Sequence, residues 1–156
     1  MGIGFVLLFL TGLLAAREPD CQRPLLGAWE YRQRAGEGYD GEGERLELSC
    51  NIGSVHGLYF GLEREGEHGL FYTLVELTDL KLGPNGDLTF TVPDRSLFRR
   101  RPKSLQEVKE NHLTSAGFTR DTLHLRGRLQ EGNLVLACTS TGHSCPEDRM
   151  LFGRGK

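Results

Sequence analysis

The sequence predicts an all-β fold, an up-and-down antiparallel β-barrel of about eight short strands with one short helix. Three observations carry that expectation. Apolar residues alternate with period two in Leu46, Leu48 and Cys50, in Leu88, Phe90 and Val92, and in Leu134, Leu136 and Cys138, which places each set on one face of a strand. Asn- and Gly-rich turns separate these runs at 51–54, 84–87 and 131–133; both residues tolerate the positive φ that tight hairpins need. A single segment, near 105–114, carries helical spacing instead. Strands with one apolar and one polar face leave aggregation-prone edges in an open sheet, and curling the sheet onto itself removes them. A two-sheet sandwich is the structural alternative.

Taken in order, residues 1–16 carry no charge and are apolar from Ile3 to Leu14 apart from Gly4, Thr11 and Gly12. That stretch is shorter than the roughly 20 residues a membrane span needs and suits a signal peptide, with Ala15 and Ala16 before the cleavage point. An uncleaved anchor is the alternative. Glu18, Pro19 and Asp20 do not form the small-residue tripeptide that would precede a lipidated Cys21. One domain, residues 17–156, follows, long enough to bury a core.

The first strand-like run is Leu26-Gly27-Ala28-Trp29, which holds the only tryptophan. Residues 46–50 and 55–60 form the next hairpin, 64–69 separates it from a longer run at 70–82, and 88–92 follows the turn at 84–87. Ser104 with Glu107 has the form of a capping box, and Leu105, Val108, His112 and Leu113 continue it, so a helix is expected over about 105–114. Leu123, Leu125 and Leu129, then 134–138, then Met150 to Phe152 complete the strands. Within the curl, Trp29 is expected to plug one end, with Gly27 letting a neighbour approach closely.

Nineteen basic residues against 21 acidic ones give no field that singles out nucleic acid, and no membrane span remains after leader cleavage. Four cysteines, Cys21, Cys50, Cys138 and Cys145, in an exported chain predict oxidised pairs and a secreted or periplasmic location. Three connectivities are open; the turn-like stretch between Cys138 and Cys145 favours joining those two, leaving Cys21 with Cys50. A zinc site is the rival reading, although paired CxxC spacing is lacking.

Gly27-Ala28-Trp29, followed by Gly57-Leu58-Tyr59 in the second hairpin, resembles the opening of the calycin proteins, the lipocalins and avidins. Their barrels begin with a G-x-W strand, and avidins carry a similar G-x-Y. The resemblance covers the first strands only. It implies a barrel, and it names no ligand: avidin-type pockets use several tryptophans where this chain has Trp29 alone, and the second lipocalin signature, a T-D-Y-type triplet, is missing.

Five histidines, His56, His68, His112, His124 and His143, are scattered singly, and no hydrolase or metalloprotease motif accompanies them. His56 and His124 fall at outward strand positions, and Asp121 with His124 lacks a third metal ligand. The chain is therefore expected not to be an enzyme and to need no cofactor. The main functional signal is cationic: Arg95, Arg99, Arg100, Arg101 and Lys103 cluster around Leu97 and Phe98, able to attract a carboxylate, a phosphate or an acidic surface. A solvated loop or a processing site would look the same. Two functions follow. In the first, Trp29, Tyr59, Phe90 and Leu125, with Leu48, line a barrel that carries a small apolar or acidic molecule, and Arg99 and Arg100 hold its headgroup. In the second, the barrel is solidly packed and its loops bind a protein partner with an acidic surface.

Overall fold

In the computed structural model the described residues are 21, 23–32, 43–64, 69–83, 85–110, 113–142, 145 and 147–155. The leader expected at 1–16 and His68, His112 and His143 lie outside them. A 3₁₀ turn, Arg23–Leu25, leads into eleven strands: β1 (Gly27–Tyr31), β2 (Arg45–Asn51), β3 (Ser54–Arg64), β4 (Leu70–Glu76), β5 (Thr78–Leu82), β6 (Asp87–Val92), β7 (Arg95–Phe98), β8 (Ser115–Thr119), β9 (Leu123–Gln130), β10 (Asn133–Ser140) and β11 (Arg149–Arg154). One helix, α1 (Leu105–Lys109), sits between β7 and β8.

All eleven strands belong to one antiparallel sheet in the order β5-β6-β9-β10-β11-β1-β2-β3-β4-β7-β8, which sets aside the two-sheet alternative. The sheet is curled like part of a barrel, with β5 and β8 each paired on one side. Eleven strands replace the expected eight because three long runs are interrupted. Leu77 divides β4 from β5, and beyond it the ladder to β6 shifts between Thr78 and Lys81, where Asp79 adopts φ 51°; this is the geometry of a bulge. Pro93, which has no N–H to donate, divides β6 from β7. Residues 120–122 divide β8 from β9. Across each break the pairing resumes with the same neighbouring run: Leu82 faces Leu88 and Tyr72 faces Phe98, while Val92 faces Leu123 and Arg95 faces Thr119. Each run thus bonds the next in sequence, and the last strand returns to the first, Trp29 facing Arg154.

The core is the concave face of this curl. Trp29, Leu46, Leu88, Val92, Leu134, Leu136, Met150 and Phe152 are fully buried there. At about 25 cal/mol per Å² of apolar surface removed from water, burial of this kind is the main term holding such a sheet together. Trp29 lies at the end closed by the 3₁₀ turn, where its Nε1 donates to the Leu25 carbonyl at 2.8 Å. The Arg154 guanidinium carbon stands 4.0 Å from the indole centroid, and its two terminal nitrogens donate to the Leu26 and Pro24 carbonyls. Gly27, at φ +113°, makes room for this: a Cβ there would lie 3.0 Å from Arg154 Nη1.

The cysteines pair as Cys21–Cys50 and Cys138–Cys145, and no free cysteine is present among the described residues. Oxidised pairs of this kind are consistent with an extracellular or periplasmic setting. No helix among the described residues is long and apolar enough to cross a membrane. Helix α1 is shorter than the sequence suggested. Ser104 Oγ accepts from Glu107 N at 3.2 Å, but the Glu107 carboxylate accepts from Lys103 N rather than completing the reciprocal bond to Ser104. Leu113 is buried and β8 starts at Ser115, so the apolar spacing that extended the helix to 114 records a loop residue turned inward.

Candidate functional site

Polar side chains gather inside the curl next to the cross-strand row formed by Trp29, Leu46 and Tyr59. The inward row of β2 runs Leu48, Leu46 and then, one residue before the strand begins, Glu44, which is 7% exposed. Its backbone is fixed by Tyr31 N donating to Glu44 O at 2.9 Å. On β3 the inward row is Tyr59, Gly61 and Glu63, and the cross-strand partners on β4 are Val75, Thr73 and Phe71. Arg95, the first residue of β7, enters the same space.

Gly61 determines how these groups meet. A Cβ at that position would lie 2.5 Å from Thr73 Oγ1 and 2.6 Å from Tyr59 Cε1, so only glycine lets the phenol ring lie beside the threonine hydroxyl. From there the Tyr59 hydroxyl donates to the Glu44 carboxylate. The Arg95 guanidinium carbon is 5.9 Å from the Tyr59 ring centroid. Its Nη1 donates to the Asp121 carbonyl at 2.7 Å, and its Nη2 pairs with Glu63 Oε1. Arg95 is 2% exposed and Thr73 1%.

Several polar atoms in this cluster are buried without a hydrogen-bond partner among the described residues: Glu44 Oε2, Thr73 Oγ1 and Arg95 Nε. Each such atom costs about 1–3 kcal/mol where nothing meets it. Burial pushes the Glu44 carboxyl up to about 7, with the Tyr59 hydroxyl and Arg95 opposing and the Glu63 charge adding to the rise. Burial also carries the Tyr59 phenol well above its ordinary 10.0. Tyr31, tilted against Phe152 at a ring distance of 5.5 Å, is pushed to about 12 by burial and by the charges of Glu147 and Glu44.

The residues singled out in the sequence divide between this site, the core and the rim. Tyr59 belongs to the polar cluster. Phe90 and Leu125 face each other across β6 and β9 in the buried core, and Trp29 is part of the same core. The cationic cluster does not stay together. Arg95 is buried in the cluster just described, whereas Arg99, Arg100, Arg101 and Lys103 are exposed. Arg99 lies 5.5 Å over the Phe71 ring, and Arg101 Nη2 donates to the Gly43 carbonyl at 3.3 Å, so both border the polar end. Arg100 instead pairs with Glu107 of α1 at 2.5 Å. The Glu107 carboxyl is held below its usual value by the Lys103 amide and by Arg100. His56 and His124 are exposed on their strands; His124 Nδ1 contacts Thr91 Oγ1 at 3.2 Å. Among the described residues no group of three or more His, Cys, Asp or Glu side chains could hold a metal ion.

Glu44, Gly61, Glu63 and Thr73 were not singled out from the sequence. Extending the alternation of Leu46 and Leu48 back by two points Glu44 inward, and extending Tyr59 forward points Gly61 and Glu63 inward; that parity is the signal that finds them. No family model, curated protein or solved structure matches this chain.

Proposed function

We propose that this chain is an exported binding protein that holds a small molecule within its curled sheet, the molecule's polar group meeting the Glu44 cluster and its apolar body lying against neighbouring core side chains. The observation that carries this reading is the set of buried atoms on Glu44, Thr73 and Arg95 that find no partner among the described residues. A sheet evolved only to pack itself gains nothing from three such atoms in one space. The G-x-W opening at Trp29 and the calycin resemblance it carries point to the same class of protein, and two disulfides suit secretion or periplasmic export. Of the basic loop, Arg99 and Arg101 border this end of the curl, at Phe71 and Gly43, and Arg100 is engaged with Glu107.

The test is displacement of an apolar fluorescent probe from the oxidised monomer by small amphiphiles, compared with Gly61→Val. Valine would push the Tyr59 ring and the Thr73 hydroxyl apart, so it should abolish displacement; its fold is checked by near-ultraviolet circular dichroism. Failure of every apolar probe to bind the parent chain would overturn the reading.

One observation favours a second function, binding a protein partner through the loops. Ile52, at the tip of the β2–β3 hairpin, is 96% exposed and holds φ 48°, a conformation that β-branched residues rarely adopt. An apolar, strained residue presented to solvent is the kind of feature a partner surface covers.

A further inference from the structure

Resting on the binding reading above, we infer that the group received by the buried cluster is a hydrogen-bond-donating cationic nitrogen, an amine or amidine, that pairs with Glu44 and Thr73, rather than the carboxylate that the basic loop suggested. The argument is one of supply. A buried anion needs donors, and the one cation within the cluster among the described residues, Arg95, has both terminal nitrogens committed, Nη1 to the Asp121 carbonyl and Nη2 to Glu63. Its remaining Nε offers a single bond. Glu44 Oε2 is a buried acceptor without a match, and the Thr73 hydroxyl beside it, which can give or accept a hydrogen bond, is unmatched too. With Glu44 ionised, two carboxylates, Glu44 and Glu63, face one guanidinium. A second cation therefore balances the charge and gives Glu44 a donor, whereas an anion worsens the imbalance.

The groups that face Glu44 are Tyr59 and Glu63 on β3, Arg95 on β7 and Tyr31 on β1; burial keeps both phenols protonated. An ionised Glu44 is disfavoured in the empty site and favoured by a bound cation, so cation binding should strengthen as pH rises through about 7. A neutral Glu44 gives a cation no ionic partner, so the preference should fade in acid.

The experiment uses the oxidised full chain without its leader and three probes with the same alkyl body, hexylamine, 1-hexanol and hexanoate, titrated by calorimetry or by amide chemical shifts at pH 8.5 and pH 5.5. Hexylamine should bind at least about tenfold more tightly than the other two at pH 8.5, and its advantage over hexanol should shrink to within about twofold at pH 5.5 and in Glu44→Gln. Hexanol binding equal to or tighter than hexylamine at pH 8.5, or hexanoate the tightest of the three, overturns the inference while leaving the binding reading intact. Binding by none of the three overturns the binding reading and the inference with it. Should Glu44→Gln fail to fold, the two pH values on the parent chain decide the matter.

Discussion

Replacing Glu44 with glutamine exchanges a titratable buried group for a neutral one of nearly the same shape, and the pH dependence of the consequence follows from the structure. The carboxyl is pushed from 4.5 to about 7, with burial the main cause. Below pH 4.5 the group is protonated whether the chain is folded or not and has no effect on stability. As pH rises from 4.5 towards 7, the unfolded chain releases this proton and the folded chain keeps it, so stability falls. Above 7 the loss is complete. At about 1.4 kcal/mol for each tenfold change in proton affinity, it amounts to about 3 kcal/mol. Glu44→Gln lacks this term, so its stability relative to the parent should rise by about 3 kcal/mol between pH 4.5 and pH 8.5. Urea unfolding of both oxidised proteins across that range measures the difference, and groups titrating alike in both chains cancel. A difference that stays flat with pH, or that moves the other way, would mean that Glu44 is ionised and well paired when folded, and the account of the empty site would fail.

Further tests address the rest of the fold. Arg154→Leu removes the guanidinium from the Trp29 face and its bonds to the Leu26 and Pro24 carbonyls; a loss of about 2–4 kcal/mol in urea unfolding is expected, and a loss under about 0.5 kcal/mol would show that the sealed end does not depend on it. Ile52→Asn should stabilise by about 1 kcal/mol, because Asn accepts the positive φ that strains a β-branched side chain, seen as a raised midpoint with unchanged slope. Replacing Cys21 and Cys50 by alanine should cost more than replacing Cys138 and Cys145, since the sequence separations are 29 and 7; loop entropy puts the costs at about 3.5 and about 2.5 kcal/mol. Thiol counting on the native protein should find no free cysteine, and four would contradict the compartment argument.

Legibility of the fold in the sequence varied with the local pattern. Leu46 and Leu48, Leu88 and Phe90, and Leu134 and Leu136 are all buried, because side chains two apart on a strand share a face whatever the sheet does later. The pattern failed where the backbone changed parity. After Phe90 and Val92, strict alternation would turn Asp94 inward, but the break at 93–94 resets the count and Arg95 enters instead. The basic cluster therefore read as a single patch when one of its members is a core residue. Thr73 was hidden for another reason: residues 70–75 mix apolar and polar side chains without alternation, so no face is marked.

The sequence by itself determined the all-β class, the positions of the tight turns and the inward set of most strands, and it favoured the Cys138–Cys145 pairing while leaving three connectivities open. These depend on local rules, the two-residue repeat of a pleated chain and the tolerance of Gly and Asn for positive φ. Only the tertiary structure decided that three long runs would break, that the last strand would return to Trp29, and that Glu44, Tyr59, Thr73 and Arg95 would share one buried space. Those outcomes depend on register between segments far apart in the chain, where bulges, a proline and the room left by Gly61 combine, and no single stretch of sequence records their sum.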